Sequence, residues 1–271
     1  MPEGDTVHRI ARVLGRELTG HNIDKLFLHD QGEIVQVAGK RVEKIEAIGK
    51  HMLVTFDAPW VLRVHLGMNG HWRRLHVRQK AGFHPTVRIE IGEAAYVCER
   101  AYRAEMIRAA ALRTNPRLAR LGPDLLADPP DIASAVRRAK QAGNAGREVG
   151  DLIMDQRVAA GVGNVYKSEV LFECKIHPRA LMQQLSEEQV RGIYEKAAQL
   201  MRLNLLTRRR TSVPLRRRPQ PSSQRYWVYM RAGKPCFDCG TRIERFLQGD
   251  MGRSTYFCPK CQQHPAGNSS Q

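Results

Sequence analysis

The chain of 271 residues is poor in aromatic side chains, at 6%, carries only six cysteines, and has no apolar run long enough to cross a bilayer. Acid is also scarce, with 27 Asp and Glu against 44 Lys and Arg and a net charge of +17. Each shortage removes a class of protein. Without a spanning segment or a signal-peptide pattern, the chain reads as cytoplasmic, with no membrane partner. Six cysteines, four of them crowded between Cys236 and Cys261, do not make a disulfide scaffold of this length. Cys98 and Cys174 stand apart and read as packed free thiols. The missing acid points to a polyanionic partner. Between Lys196 and Lys234 there are eleven Lys or Arg and no Asp or Glu, densest at Arg208-Arg209-Arg210 and Arg216-Arg217-Arg218. The neighbouring segments lack the amphipathic apolar face of an interfacial helix, so nucleic acid is the better match than a membrane surface. The prolines and serines among these arginines favour a mobile basic loop that orders on a partner, although a run of charge is also what a solvated face looks like.

What the chain does have begins at its amino terminus, Met1-Pro2-Glu3-Gly4-Asp5-Thr6. Removal of Met1 by an aminopeptidase turns Pro2 into a free secondary amine. Such an amine attacking an aldehyde gives a cationic iminium, an electron sink that makes the adjacent carbon acidic. An α-amine titrates near ~8 against ~10.4 for lysine, so part of it is unprotonated at neutral pH. Glu3 places a proton-transferring carboxyl beside it. Proline and acids equally suit an ordinary first helical turn. The apolar spacing of Val7, Ile10, Val13, Leu14 and Leu18 predicts a helix, and Gly20 ends it.

From Ile34 to Met106 the period changes to two: Met52, Val54 and Phe56, then Leu62, Val64 and Leu66, then Val87, Ile89 and Ile91. Turn residues separate these runs, which predicts short strands in a two-sheet sandwich or barrel. The β signal stops between Ala111 and Pro130, and helical patterns follow, over Arg147 to Met154, Gly163 to Cys174, and a segment opened by a Ser186/Gln189 capping box. In that last helix Val190, Ile193, Tyr194, Ala197, Leu200 and Met201 form the expected buried stripe. Between the first two lies Asp155-Gln156-Arg157, running to Gly161-Val162-Gly163-Asn164. Glycines before a helix, exposed N–H groups at its start and the Asn164 amide suit a phosphate oxygen, although such a turn is also a common plain loop. Finally, Cys236-x2-Cys239 and Cys258-x2-Cys261 flank an 18-residue spacer that carries Arg253. Four thiolates at this spacing close a tetrahedral Zn²⁺ site with no open position, which makes the metal structural; redox chemistry is the other reading of such pairs.

Taken together, Pro2-Glu3-Gly4-Asp5-Thr6, Gly49-Lys50-His51, Asp155-Gln156-Arg157 with Gly163-Asn164-Val165-Tyr166, and Gly252-Arg253-Ser254-Thr255 between the cysteine pairs resemble the formamidopyrimidine-DNA glycosylase and endonuclease VIII family over nearly the whole chain. The resemblance implies a multi-domain α+β chain: an N-terminal β-sandwich with its amino-terminal helix (1–115), a helix-two-turn-helix DNA-binding domain with the basic loop (116–220), and a C-terminal zinc-ribbon hairpin and tail (221–271). It implies base excision repair, in which a damaged base is flipped out and removed and the abasic strand is nicked by β- and δ-elimination. Pro2 corresponds to the Schiff-base nucleophile, Glu3 to the proton donor, Lys50 to the β-elimination lysine and Arg253 to the δ-elimination arginine. An arginine is a poor proton donor, so Lys50 and Arg253 read better as grips on the phosphates flanking the lesion. Gly163 and Asn164 correspond to a phosphate contact, Arg120 to a DNA-contacting arginine of the endonuclease VIII branch, and His65 and Met68 to the turn that enters the duplex, with Met68 as its wedge. One structural Zn²⁺ per chain, a monomer, and damaged double-stranded DNA are expected, with single-stranded or bubble DNA as further candidate substrates.

The purine-acting branch starts Pro-Glu-Leu-Pro and has an Arg-x-Phe-Gly loop, both absent here, which favours oxidised pyrimidines. His65-Leu66-Gly67-Met68, by contrast, resembles the purine-acting branch. A relative that has lost catalysis and a zinc-ribbon regulator are the competing functional readings. The regulator leaves Pro2, Glu3 and Lys50 without a purpose.

Overall fold

Side chains that alternate between core and outer face build the first part of the molecule. The computed structural model describes residues 1–80, 82, 85–207, 209–213 and 224–264, and falls into two compact units, Met1–Arg120 and Leu121–Gln271. The first holds α1 (Gly4–Leu18) and nine strands: β1 (Lys25–Leu28), β2 (Gly32–Glu33), β3 (Val42–Ile48), β4 (His51–Phe56), β5 (Trp60–His65), β6 (His71–His76), β7 (Pro85–Ile91), β8 (Ala94–Glu99) and β9 (Arg103–Arg108). They form two antiparallel sheets, β2-β1-β7-β8-β6 and β3-β4-β5-β9. Leu26, Val87, Ile89 and Cys98 from one sheet meet Met52, Val54, Phe56, Leu62 and Val64 from the other in a single core, which makes the pair a sandwich.

Helix α1 adds Val7, Ala11, Leu14 and Leu18 to that core. Val13, expected in the buried stripe, is instead 48% exposed. At about 100° per residue it lies roughly 120° from the centre of the stripe, where it faces solvent. The Asn115-Pro116 pair starts a short helix, α2 (Pro116–Ala119), with the Asn115 side chain accepting from the Arg117 N–H at 3.0 Å.

The second unit contains α3 (Ile132–Ala139), α4 (Val149–Leu152), α5 (Asn164–Glu173), α6 (Glu187–Asn204) and the hairpin β10 (Glu244–Gln248) and β11 (Arg253–Phe257). All six residues of the expected α6 stripe are buried. Its capping box is formed, with the Gln189 N–H donating to Ser186 Oγ at 3.1 Å and the Ser186 N–H to Gln189 Oε1 at 2.8 Å. The helix expected over Arg147 to Met154 is shorter: the extended Glu148 caps it at the start, and past Ile153 the chain tightens into turns in which the Met154 and Asp155 N–H groups donate to the Asp151 and Leu152 carbonyls at 3.2 and 3.0 Å. A smaller core of Phe172, Val213, Trp227, Ile243 and Cys258 holds the hairpin end of the unit. Arg208 and Arg216 to Arg218 of the basic loop lie outside the described residues.

Asp155-Gln156-Arg157 builds the turn that launches α5. Gln156 Nε2 donates to the Met154 and Val162 carbonyls at 2.6 and 2.9 Å, and its Oε1 accepts from the Gly161 N–H at 3.0 Å. Hydrogen bonds from Arg157 and Arg147, working against partial burial, hold the Asp155 carboxyl well below the usual carboxylate range. A carboxyl depressed in this way stabilises the fold above its unfolded pKa of about 3.9 and loses that contribution as the pH falls below it. Asp155→Asn is therefore expected to cost about 2 kcal/mol at pH 7 and to flatten the fall in stability between about pH 5 and pH 2, as followed by urea unfolding. Equal pH slopes in the two proteins would refute this role.

Candidate active site

Pro2 is half-buried, and Glu3 behind it is 0% exposed. Glu3 is the N-cap of α1, its backbone carbonyl accepting from the Thr6 and Val7 N–H groups at 3.0 and 3.1 Å. The residue that opens the helix thus directs a carboxyl inward beside the proline. Lys50 lies in the turn from β3 to β4, which Gly49 makes at φ 58. His65 closes β5 and pairs in register with His51 of β4; their rings lie 4.8 Å apart. Burial lowers the His65 pKa to about 4, with Lys50 and Arg63 pushing the same way, so Lys50 and His65 share one electrostatic neighbourhood. Met68 sits on the following turn and is 60% exposed. Tyr102, which sequence reasoning did not single out, is 79% exposed beside this turn. Its ring stands edge-on to His65 at 5.8 Å, and a Cβ at position 67 would meet Tyr102 Cβ at 2.7 Å, so only glycine admits this approach. Arg120 is exposed at the end of α2.

In the second unit, Gly163 and Asn164 cap and begin α5, but this start is buried, not exposed as the loop pattern implied. The reason is the hairpin. Asn164 Nδ2 donates to the Ser254 carbonyl at 2.8 Å, which ties α5 to the residue after Arg253. One turn later Lys167, also 0% exposed, donates from Nζ to Thr255 Oγ1 at 2.6 Å. Thr255 donates on to Gln248 Oε1 at 2.8 Å, and Gln248 Nε2 donates to Glu148 Oε2 and the Pro178 carbonyl, both at 2.8 Å. This one-way relay seats the arginine-bearing end of the hairpin. Arg253 itself opens β11, opposite Gln248 and just past the turn, and is half-buried.

Glu169, on the same helix, is fully buried, and burial raises its pKa against the donors around it. Its carboxylate accepts from Ser212 Oγ and from the N–H groups of Trp227, Val228 and Tyr229 at 2.7, 2.9 and 2.8 Å. The available signal for Lys167 and Glu169 was polar residues lying two apart in a helix with no solvent face.

At the far end of the hairpin the sulfurs of Cys236, Cys239, Cys258 and Cys261 lie within 4.8 Å of one another. Four ligands at about 2.3 Å from a tetrahedral centre define edges of about 3.8 Å. The Cys236–Cys261 and Cys239–Cys258 separations are 3.9 and 3.4 Å, so the cluster fits a metal ion of that size.

Residues 1–104 match the model of the formamidopyrimidine-DNA glycosylase N-terminal domain, and residues 121–213 match that of the formamidopyrimidine-DNA glycosylase H2TH domain. The chain belongs to the formamidopyrimidine-DNA glycosylase and endonuclease VIII family. This is a family of base excision repair DNA glycosylases with AP lyase activity. A probable endonuclease 8 2 of Streptomyces coelicolor is 32% identical, covering 98% of this chain and 95% of that one. A formamidopyrimidine-DNA glycosylase of Desulfitobacterium hafniense is 27% identical over 97% of this chain and 100% of its own. Lactococcus lactis Fpg, solved with DNA containing an abasic site, superposes with a TM-score of 0.82 at 20% identity, over 97% of this chain and 100% of that one. That likeness establishes the family fold, and the resemblance drawn from the motifs holds. Among the described residues no helix is long and apolar enough to cross a membrane.

The relay gives a direct test. A Cβ at Gly150 would meet Gln248 Oε1 at 2.4 Å and displace that side chain. Gly150→Ala is expected to destabilise the second unit by about 1–3 kcal/mol in denaturant unfolding, and unchanged stability would show that Gln248 has room to move.

Proposed function

We propose that this chain is a bifunctional DNA glycosylase and AP lyase that removes oxidised bases, pyrimidines favoured, through a Schiff base on Pro2. The supporting observation is Glu3: a wholly buried carboxyl fixed at the start of α1, one residue behind the amine that Met1 removal frees. The amine adds to C1′ of the flipped nucleotide as the C1′–N glycosidic bond breaks, with Glu3 delivering a proton on the path that releases the base. The sugar opens to an iminium. Loss of a C2′ proton then expels the 3′ phosphate, and a second elimination expels the 5′ phosphate. Lys50 and Arg253 hold the flanking phosphates and steady their charge as they leave, with His65, Arg120, Gly163 and Asn164 as further backbone contacts. We assign Zn²⁺ to the four cysteines as a structural ion. On this reading residues 1–115 are catalytic, 116–220 bind damaged DNA, and 221–271 carry the metal hairpin; the protein works in the cytoplasm.

Borohydride reduction with abasic DNA tests the nucleophile. The processed protein is expected to become covalently linked, while Pro2→Gly, which keeps an amine but a primary one, traps at least about tenfold less in single-turnover assays. Undiminished cross-linking by protein shown by mass spectrometry to retain Met1 would sink the assignment, and a complete absence of trapping would favour the non-catalytic relative.

The lesion preference rests on the side chains that fill the gap left by a flipped base. The β8–β9 connection is only Arg100, Ala101 and Tyr102, too short for an Arg-x-Phe-Gly loop, so Met68 and Tyr102 supply the exposed apolar surface there. The 32% identity to an endonuclease 8 points the same way. Ring-saturated pyrimidines stack poorly and cost less to extrude, so a small plug suffices for them. Single-turnover excision of 5,6-dihydrouracil or thymine glycol is expected to outrun that of 8-oxoguanine opposite cytosine by about tenfold or more. The reverse order moves the chain to the purine-acting branch.

A further inference from the structure

Arg63 is a guanidinium that is 0% exposed in the middle of β5, between the core residues Leu62 and Val64 and pointing to the other face of the sheet. Its Nε donates to Glu105 Oε1 at 2.9 Å, and its Nη1 lies 2.7 Å from His51 Nδ1. Glu105 on β9 also accepts from Arg103 Nε at 2.7 Å and has Arg117 at 3.8 Å. Glu105 is thereby kept ionised: burial works to raise its pKa, and Arg103 and Arg63 outweigh it and lower it.

A guanidinium has donors and no acceptor, so His51 Nδ1 must be the acceptor of the Arg63 bond. This fixes the ring: His51 is neutral, and its one proton is on Nε2, the nitrogen that diverges from Arg63. The groups around it agree. Burial first, then His65, Arg63, Lys50 and Arg117, lower the His51 pKa to about 3. His51 follows Lys50 directly and faces His65 across the strand pair. The Tyr102 ring stands edge-on to His65.

We propose that His51 is an uncharged hydrogen-bond donor, through Nε2–H, to the DNA backbone phosphate gripped by Lys50 and His65, and that Arg63 and Glu105 are positioning residues that hold its tautomer. The proposal rests on the reading of Lys50 and His65 as phosphate contacts. Its physical content is a division of labour. Lys50 supplies attraction and releases counterions, while a neutral imidazole adds direction without adding charge that product release must overcome.

The experiment measures binding to duplex DNA carrying a tetrahydrofuran abasic analogue, across salt and from pH 5.5 to 8, for the processed full-length protein. His51→Ala is expected to weaken binding about tenfold with an unchanged log–log salt slope, and the ratio to wild type should stay constant over that pH range. His51→Gln, which keeps an N–H donor, should recover most of the loss. Arg63→Met frees the tautomer, so the His51 contribution should become pH-dependent, strengthening as pH falls. Lys50→Ala is the reference and should make the salt slope shallower by about one. In the long-range ¹H–¹⁵N spectrum of wild type, His51 should show the Nε2–H tautomer at pH 6.5, a readout that needs no variant to fold. Wild-type affinity in a folded His51→Ala, a His51 contribution that grows severalfold as wild type is acidified, or an Nδ1–H or doubly protonated ring would each overturn the proposal. If Lys50→Ala binds like wild type, it is the phosphate reading of this turn that fails.

Discussion

A helix buried on every side must find partners for most of the polar groups it carries, and α5 sets the architecture of the second unit for that reason. Asn164, Lys167, Ser168 and Glu169 are all buried among Val165, Tyr166, Val170 and Leu171. An ammonium or carboxylate in such surroundings is costly unless several well-placed groups answer it. Lys167 is answered by Thr255 on the hairpin, Asn164 by the Ser254 carbonyl, and Glu169 by a hydroxyl and three N–H groups from two distant stretches of chain. The helix therefore dictates where β11 lies and where residues 212 and 227 are held.

The first unit handles charge differently. Beside Lys50 and Arg63, the two imidazoles of His51 and His65 are kept neutral by burial and by those same cations. A site that grips a polyanion with every group charged would bind tightly and release slowly. Mixing fixed cations with neutral donors separates affinity from orientation. Among the described residues of this unit, the one buried Lys or Arg, Arg63, is compensated locally by Glu105 and so contributes structure without adding to the field at the surface.

Much of this was legible in the residues. Period-two alternation located β4, β5 and β7; the Ser186/Gln189 box located α6; and the cysteine spacing anticipated the sulfur cluster, because each is a short-range pattern with one strong physical cause. Val13 was misplaced because its i+3 spacing from Ile10 looks helical in the sequence, whereas the stripe that packs, Val7, Ala11, Leu14 and Leu18, leaves it on the solvent side. Asp155-Gln156-Arg157 was noticed as a motif, but its work is to shape the turn, through carboxylate and amide bonds that composition does not disclose. The Arg63–His51 contact needed the strand register, and the Lys167–Thr255 contact joins residues 88 apart in sequence. Neither could be seen before the chain was folded.

The direction of the hydrogen-bond relay through the hairpin bears on how this region can be engineered or exchanged. Every donor in it points one way, from Lys167 through Thr255 and Gln248 to Glu148 and Pro178. The cysteine hairpin looks like a portable module, a metal cluster with two strands, but its buried amide and hydroxyl also depend on Glu148, Lys167 and the Pro178 carbonyl elsewhere in the chain. Grafted onto another scaffold it would carry its metal ligands and leave Thr255 and Gln248 stranded, so the smallest transferable piece is the hairpin together with the stretch from Glu148 through α5 to Pro178.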